Sequence, residues 1–281
     1  MGDDIISIAG LVKSFGRFRA LDGLDLRVGP GEIHGFLGPN GAGKSTTIRI
    51  ALGMYRRDAG DVRVLGLDPG VDPSGVSRRV AYVPGDVALW PGLTGQEVLD
   101  ALGDLRGIRD RAREAALVEA FRLDPGKRVR QYSKGNRQKV ALIAALAAPC
   151  ELLVLDEPTS GLDPLQEEVF QDCARDLADQ GRTILLSSHV LAEVEHLCRR
   201  ITIIRDGRTV RTGDLADLRE VAASRVTCRL PGRDALVDRS VPAADVPATL
   251  RDLLDQGAED LTCAPATLED LFLRHYEAAA R

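Results

Sequence analysis

Three groups of residues in this chain could do chemistry on phosphate. Gly38, Pro39, Asn40, Gly41, Ala42, Gly43, Lys44 and Ser45 fit the pattern G-x-x-x-x-G-K-[ST], and Thr46 continues it into a helix-like run, TIRIALG. The apolar stretch IHGFLG precedes it and reads as a buried strand, so the loop joins a strand to a helix, the context that gives the pattern meaning. Glycines there let backbone N–H groups close around phosphate oxygens, and the helix N-terminus adds its positive end. Lys44 would meet the β- and γ-phosphates as a point charge, and the Ser45 hydroxyl would ligate Mg²⁺. Lysine is scarce, five residues beside 32 arginines, so its presence here is not a matter of composition.

The second group is Asp156-Glu157, at the end of the apolar run LLVLD. A carboxylate at the C-terminal end of a buried strand, Asp156, can reach Mg²⁺ through water. Glu157 is placed to polarise an attacking water, as general base or as a water-orienting group. No N/T-K-x-D guanine-reading motif occurs, which disfavours a GTPase. The third group is YSKGNRQKV, residues 132–140, basic and polar directly before an apolar helix. A serine, a glycine and three cations at a helix entrance suit an anion.

The elements that must position these groups alternate. IISIAGLV and LDLRV read as strands, with a turn at GPGE before IHGFLG. RRVAYVP reads as a strand, and helices are expected near 95–106 and 110–122. A helix from Ser133 precedes LLVLD, and another follows with Leu165, Val169, Cys173 and Leu177 on one face. TILLSS and RITIIR read as further buried strands, separated by a helix beginning near His189. Strands alternating with helices predict an α/β fold with a mostly parallel sheet covered on both faces. After Gly213, RVTCRL, ALVDRSV and DLTCAP look like short strands. Val246, Leu250, Leu253 and Leu254 form one helical stripe, and Leu268, Leu271, Phe272 and Tyr276 another.

Composition bounds the rest. Residues 214–281 hold 8 Lys/Arg against 13 Asp/Glu, whereas residues 1–213 balance at 29 against 29, so neither part shows the basic excess of a nucleic-acid binder. The longest apolar run, Val140 to Ala148, is nine residues, against the ~20 that span a bilayer. The acidic start MGDDIISIAG is unlike a secretory signal. Five cysteines at least 23 residues apart suggest neither zinc nor disulfides. A cytoplasmic protein is expected, with any membrane role borrowed from a partner.

On these motifs, residues 5 to 213 resemble the ATP-binding subunits of ABC transporters. The resemblance implies an ABC ATPase domain over 1–213, with an antiparallel β subdomain, a helical subdomain at about 86–150, and an α+β appendage at 214–281. It implies that YSKGN occupies the place of an LSGGQ-type signature. Ser133 and Gly135 would then bind the γ-phosphate of ATP held by a partner subunit, in a head-to-tail homodimer or pseudo-dimer. Lys134 and Asn136 depart from the family's Gly and Gln; Lys134 would either attract phosphate or point to solvent. Phe15, in KSFG, matches the aromatic that stacks on adenine. Asp163, in SGLD, matches the loop that crosses the dimer interface, and His189, in SSH, matches the histidine that contacts the γ-phosphate. The family's Mg²⁺-ligating glutamine is missing: its place is Gly85, which leaves water or the neighbouring Asp86 as metal ligand. Trp90, in the segment expected to touch the membrane partner, is either a contact or core filler.

The tail, TLEDLFLRHYEAAAR, resembles appendages of the drug, polyketide-antibiotic and lipid exporter branch. Together these imply ATP and Mg²⁺ as ligands and an integral membrane permease as partner, with the subunit peripheral on the inner face of the membrane and no nucleic acid bound. Two alternatives are a catalytically weak regulatory subunit, suggested by Gly85, and a soluble ABC-type ATPase. The latter usually has paired cassettes, coiled-coil insertions or zinc cysteines, and here only 87 residues without heptads separate Ser45 from Ser133.

Overall fold

Apolar residues alternating with polar ones make strands of Ile6–Phe15 (β1) and Phe18–Val28 (β2), paired antiparallel from Ile6↔Val28 to Phe15↔Phe18. The structure is a computed structural model that describes residues 4–220, 224–231 and 236–264, in two units, Met1–Thr212 and Gly213–Arg281. In the first unit β3 (Ile33–Leu37) is buried at all five positions and runs through the glycine loop into α1 (Lys44–Ala51). Next, β4 (Ala59–Val64) pairs with the free edge of β1, completing an antiparallel sheet of order β2-β1-β4. Asp72 caps α2 (Pro73–Arg79), which leads directly into β5 (Val80–Val83).

Three helices follow with side-chain caps that name their starts. Thr94 and Glu97 form a reciprocal capping box on α3 (Gly95–Arg106), Asp110 caps α4 (Arg111–Ala120), and Ser133 caps α5 (Lys134–Leu146). The chain then alternates through β6 (Leu152–Asp156), α6 (Pro164–Asp179), β7 (Thr183–Ser188), α7 (Leu191–Leu197), β8 (Arg200–Arg205) and β9 (Arg208–Asp214).

The six-stranded sheet has the order β5-β6-β7-β3-β8-β9, and its first five strands run parallel. Strands buried on both faces need continuous apolar runs, which LLVLD and TILLSS supply. The register matters for function: Leu37 pairs with Ser188 and Asp156 with Ser187. The ends of β3, β6 and β7 therefore open on one edge, where loops of an α/β sheet gather around a ligand.

The expected α/β architecture is found, with differences. Strands β4 and β9 and most of helix α2 lie in stretches where no element is expected from the sequence. Arg78 and Arg79 end α2 rather than opening a strand. The buried face of α6 is Gln166, Phe170, Ala174 and Leu177; Leu177 is buried as expected, but the other three lie one residue beyond the expected Leu165, Val169 and Cys173, and Leu165 is exposed. The buried amide of Gln166 takes the position that apolar pattern reading gave to its neighbour.

In the second unit α8 (Leu215–Glu220) precedes β10 (Ser224–Arg229), β11 (Val237–Val241), α9 (Val246–Asp255) and β12 (Glu259–Ala264). Its sheet is antiparallel, of order β11-β10-β12. Val226, Cys228, Leu230, Val241 and Leu253 form the core, with Leu250 packed against it. The closing helix expected at Leu268 to Tyr276 lies outside the described residues.

Candidate nucleotide site

The loop from β3 to α1 forms a cradle. Gly43, at φ 108°, stands at the N-cap of α1, where a Cβ would meet Leu21 Cδ2 at 2.6 Å, so only glycine fits. No side chain caps α1, and no acidic residue lies in its first turn. This departs from the usual bias toward acids there and leaves the positive end for an external anion. Asn40, Gly41, Gly43, Lys44, Ser45, Thr46, Phe18, Ala20 and Glu157 wall a cavity of about 220 Å³. Lys44 is buried, and its ammonium donates to the carbonyls of Gly38 at 2.6 Å and Pro39 at 3.2 Å. Burial pushes its pKa below the ordinary lysine value, and the carboxylates of Glu157 and Asp156 oppose that shift.

Two carboxylates face this cradle from β6. Asp156 is buried and accepts a short hydrogen bond from Ser187 Oγ on β7, a residue that motif reading missed. Glu157 has a φ of 49°, held by its N–H to Ser187 O at 3.0 Å and its own carbonyl to Ser160 N at 3.2 Å. A left-handed non-glycine residue costs about 1–3 kcal/mol and persists where the surroundings over-determine it. That conformation aims Glu157 Oε1 to 3.1 Å from His189 Nδ1 and 4.0 Å from Lys44 Nζ. The structure thus brings together Lys44, Ser45, Asp156, Glu157 and His189.

It leaves Ser133 and Gly135 elsewhere. The cavity wall contains none of residues 132–139. Ser133 Oγ accepts from Asn136 N at 3.2 Å, which leaves its hydroxyl proton free to donate, and α5 also lacks an acid in its first turn. Lys134 neither points only to solvent nor waits unpaired: its ammonium donates to Ser160 Oγ at 2.9 Å. A Cβ on Gly135 would collide with the Gly161 carbonyl oxygen, so glycine lets α5 abut that loop. Gln138 is buried and donates to Pro158 O at 2.9 Å. Asp163, expected at the dimer interface, caps α6 by accepting from Gln166 N at 3.0 Å.

Phe15 is 45% exposed, with Tyr55 edge-on at 5.7 Å and Lys13 Nζ 5.3 Å from its ring centroid. The aromatic in the cavity wall is Phe18, its cross-strand partner. Trp90 is half exposed rather than core filler. A Cβ at Gly85 would lie 3.4 Å from Asp156 O and 3.7 Å from Asp156 Oδ2, so that position looks directly at the buried carboxylate. Asp86 is exposed in the loop that follows.

Comparison with known proteins agrees with this geometry. Residues 21–160 match the family description ABC transporter. The daunorubicin/doxorubicin resistance ATP-binding protein DrrA of Streptomyces peucetius is 40% identical over 226 residues, 79% of this chain and 68% of that protein. The Nod factor export ATP-binding protein I of Paraburkholderia xenovorans is 34% identical over 98% of this chain and 97% of its own length. A solved structure of an ATP binding subunit of an ABC transporter superposes with a TM-score of 0.71 at 30% identity, covering 76% of this chain and 92% of that one. A phosphate cradle facing an Asp-Glu strand end and a strand-end histidine, on a fold shared over such lengths, has one family reading: the chain belongs to the ATP-binding subunits of ABC transporters, which are ATPases.

Proposed function

We propose that two copies of this subunit, or this subunit and a related one, close head to tail around two ATP molecules and so drive a separately encoded membrane permease. The observation that carries the proposal is a separation within one chain. Glu157 and His189 stand at the Lys44 cavity, while the exposed, anion-suited entrance of α5 at Ser133 and Gly135 is no part of its wall. A two-fold axis brings one subunit's α5 to the other's cavity.

In this reading Gly38 to Thr46 cradle the phosphates, Lys44 neutralises their charge, and Phe15 offers its exposed face to adenine. Glu157 activates or orients the water, and His189 holds Glu157 and contacts the γ-phosphate. Asp163 and its loop meet the partner subunit. Mg²⁺ suits the donor set. The Ser45 hydroxyl and Asp156 carboxylate are hard oxygens, and among the described residues no three His, Cys, Asp or Glu converge, which fits an ion that keeps waters and phosphate oxygens. Held there by Ser45 and, through water, Asp156, it would supply positive charge against the phosphates.

Gly85 leaves that shell one side chain short, with Asp86 the carboxylate able to swing toward it. A Cβ at Gly85 would be in ordinary contact with Asp156, and Gly85→Gln should raise basal ATPase severalfold. Asp86→Ala should lower it. Steady-state rates of both variants within about twofold of wild type would remove this loop from the metal shell.

Among the described residues no helix is long and apolar enough to cross a membrane, so association with the inner membrane face would come through the permease. The relatives named for daunorubicin resistance and Nod factor export support export of a drug-like or lipid-like cargo. Affinity purification from solubilised membranes tests the partnership. A polytopic membrane protein encoded beside this gene should copurify with the subunit. Recovery of ribosomes or nucleic acid instead would favour the soluble-ATPase reading.

A further inference from the structure

We propose that Glu193 is a positioning residue whose carboxylate ties the loop following Glu157 to the strand end that carries His189. It thereby sets how those two groups stand to each other. The inference rests on the roles proposed for Glu157 and His189 above.

Glu193 lies in the first turn of α7. Its Oε1 accepts from Thr159 Oγ1 at 2.5 Å and its Oε2 from Ser188 Oγ at 2.9 Å. Thr159 is two residues beyond Glu157, Ser188 is immediately before His189, and both are buried. One side chain therefore spans the two segments on which Glu157 and His189 ride. Ser188 Oγ also accepts from Val190 N at 2.9 Å, and its proton has two acceptors within reach, Glu193 Oε2 at 2.9 Å and the more distant Val190 carbonyl at 3.3 Å.

The two hydroxyls reach different oxygens of Glu193, and an amide in the same place would present an acceptor at only one of those two positions. The helix bearing Glu193 is itself fixed. Val194 is fully buried, and a Cβ on Gly35 of β3 would lie 2.6 Å from its Cγ1, so α7 sits tight against the strand that feeds the phosphate loop. No side chain at the N-cap position caps α7, and these two bonds fasten its first turn to the neighbouring segments. Burial first, and the charges of Glu193 and Asp163 next, push the Glu167 carboxyl above its usual value.

The mechanical consequence is specific. Lys44 and the phosphate cradle lie on β3 and α1, outside the Glu193 bridge, so nucleotide binding should not depend on it. Loss of the bridge leaves the 158–162 loop held to α5 by Gln138 and Lys134 but unties it from the His189 segment, so Glu157 and His189 lose their fixed relation and turnover should fall.

The test uses the full chain carrying Glu193→Ala, Glu193→Gln or Thr159→Val. It reads steady-state ATPase, equilibrium MgATP binding, and hydrogen exchange of residues 157–163 without nucleotide. Glu193→Ala is expected to lower kcat by about tenfold or more while KM and MgATP affinity stay within about twofold. Glu193→Gln should recover part of the rate, since it retains one acceptor. Exchange at 157–163 should quicken in the alanine variant. Thr159→Val should slow the wild type but add little to Glu193→Ala, because both act through one bond.

A kcat for Glu193→Ala within about twofold of wild type overturns the inference. So does a parallel loss of MgATP affinity, or full additivity with Thr159→Val. Should Glu193→Ala fail to fold, Glu193→Gln and Thr159→Val decide by the same readouts. A wild type that binds but never hydrolyses MgATP would overturn the parent reading instead, and hydrogen exchange would still judge the bridge.

Discussion

Glu157→Gln is expected to bind ATP as the wild type does, hydrolyse it about 10²–10⁴-fold more slowly, and accumulate as an ATP-bound dimer. The substitution is nearly isosteric. The backbone bonds that hold residue 157 at positive φ, to Ser187 O and Ser160 N, do not involve the side chain. The amide can still meet His189 Nδ1, which stands 3.1 Å from Oε1. What disappears is the negative charge and the proton affinity that a water-activating group needs. Lys44 keeps its carbonyl partners at Gly38 and Pro39, so the cradle is untouched. Removing a carboxylate that would face the γ-phosphate also removes a repulsion, which is why the dimer should persist. ATPase rates with size-exclusion chromatography in ATP read both effects. Turnover near the wild-type rate would take the water-activating role away from Glu157.

The phosphate loop, the Asp-Glu strand end and the SSH histidine were legible in the sequence because each is a local pattern bound to a strand end. The helices expected near 95–106, near 110–122 and from Ser133 are found at α3, α4 and α5, where the structure shows Thr94, Asp110 and Ser133 as their caps. Strand β4 was not legible: AGDVRV carries only two inward apolar residues, Val62 and Val64, and its partner β1 lies some fifty residues away. The insertion of β3 between β7 and β8 is equally non-local, although it is what brings Lys44 to Asp156 and Glu157. Side-chain ties share this character. Ser187 to Asp156, Lys134 to Ser160, and Glu193 to Thr159 each join residues 26 to 34 positions apart. No spacing rule points to them. The out-of-step face of α6 has another cause, since a buried Gln166 breaks the assumption that the inward stripe is apolar.

The second large effect separates the two halves of the composite site. Lys44→Ala should abolish ATP binding, because it empties a buried position at the centre of the cradle and removes its cation. Ser133→Arg should leave monomer binding intact, because Ser133 is absent from the cavity wall. Its bulk at the exposed entrance of α5 should instead block the partner's phosphates and prevent closure. A Ser133→Arg monomer that loses ATP as completely as Lys44→Ala would place that serine in its own subunit's site.

Mixing the two variants, each also carrying Glu157→Gln to trap the closed state, asks the question most directly. Neither should dimerise alone with ATP. In a head-to-tail pair the unaltered cradle of the Ser133→Arg subunit meets the unaltered Ser133 of the Lys44→Ala subunit, so every mixed dimer holds one intact site. Size-exclusion chromatography with light scattering should therefore show ATP-dependent dimers in the mixture that neither component forms. A mixture that stays monomeric, under conditions where the Glu157→Gln protein dimerises, would contradict assembly of the site from two subunits.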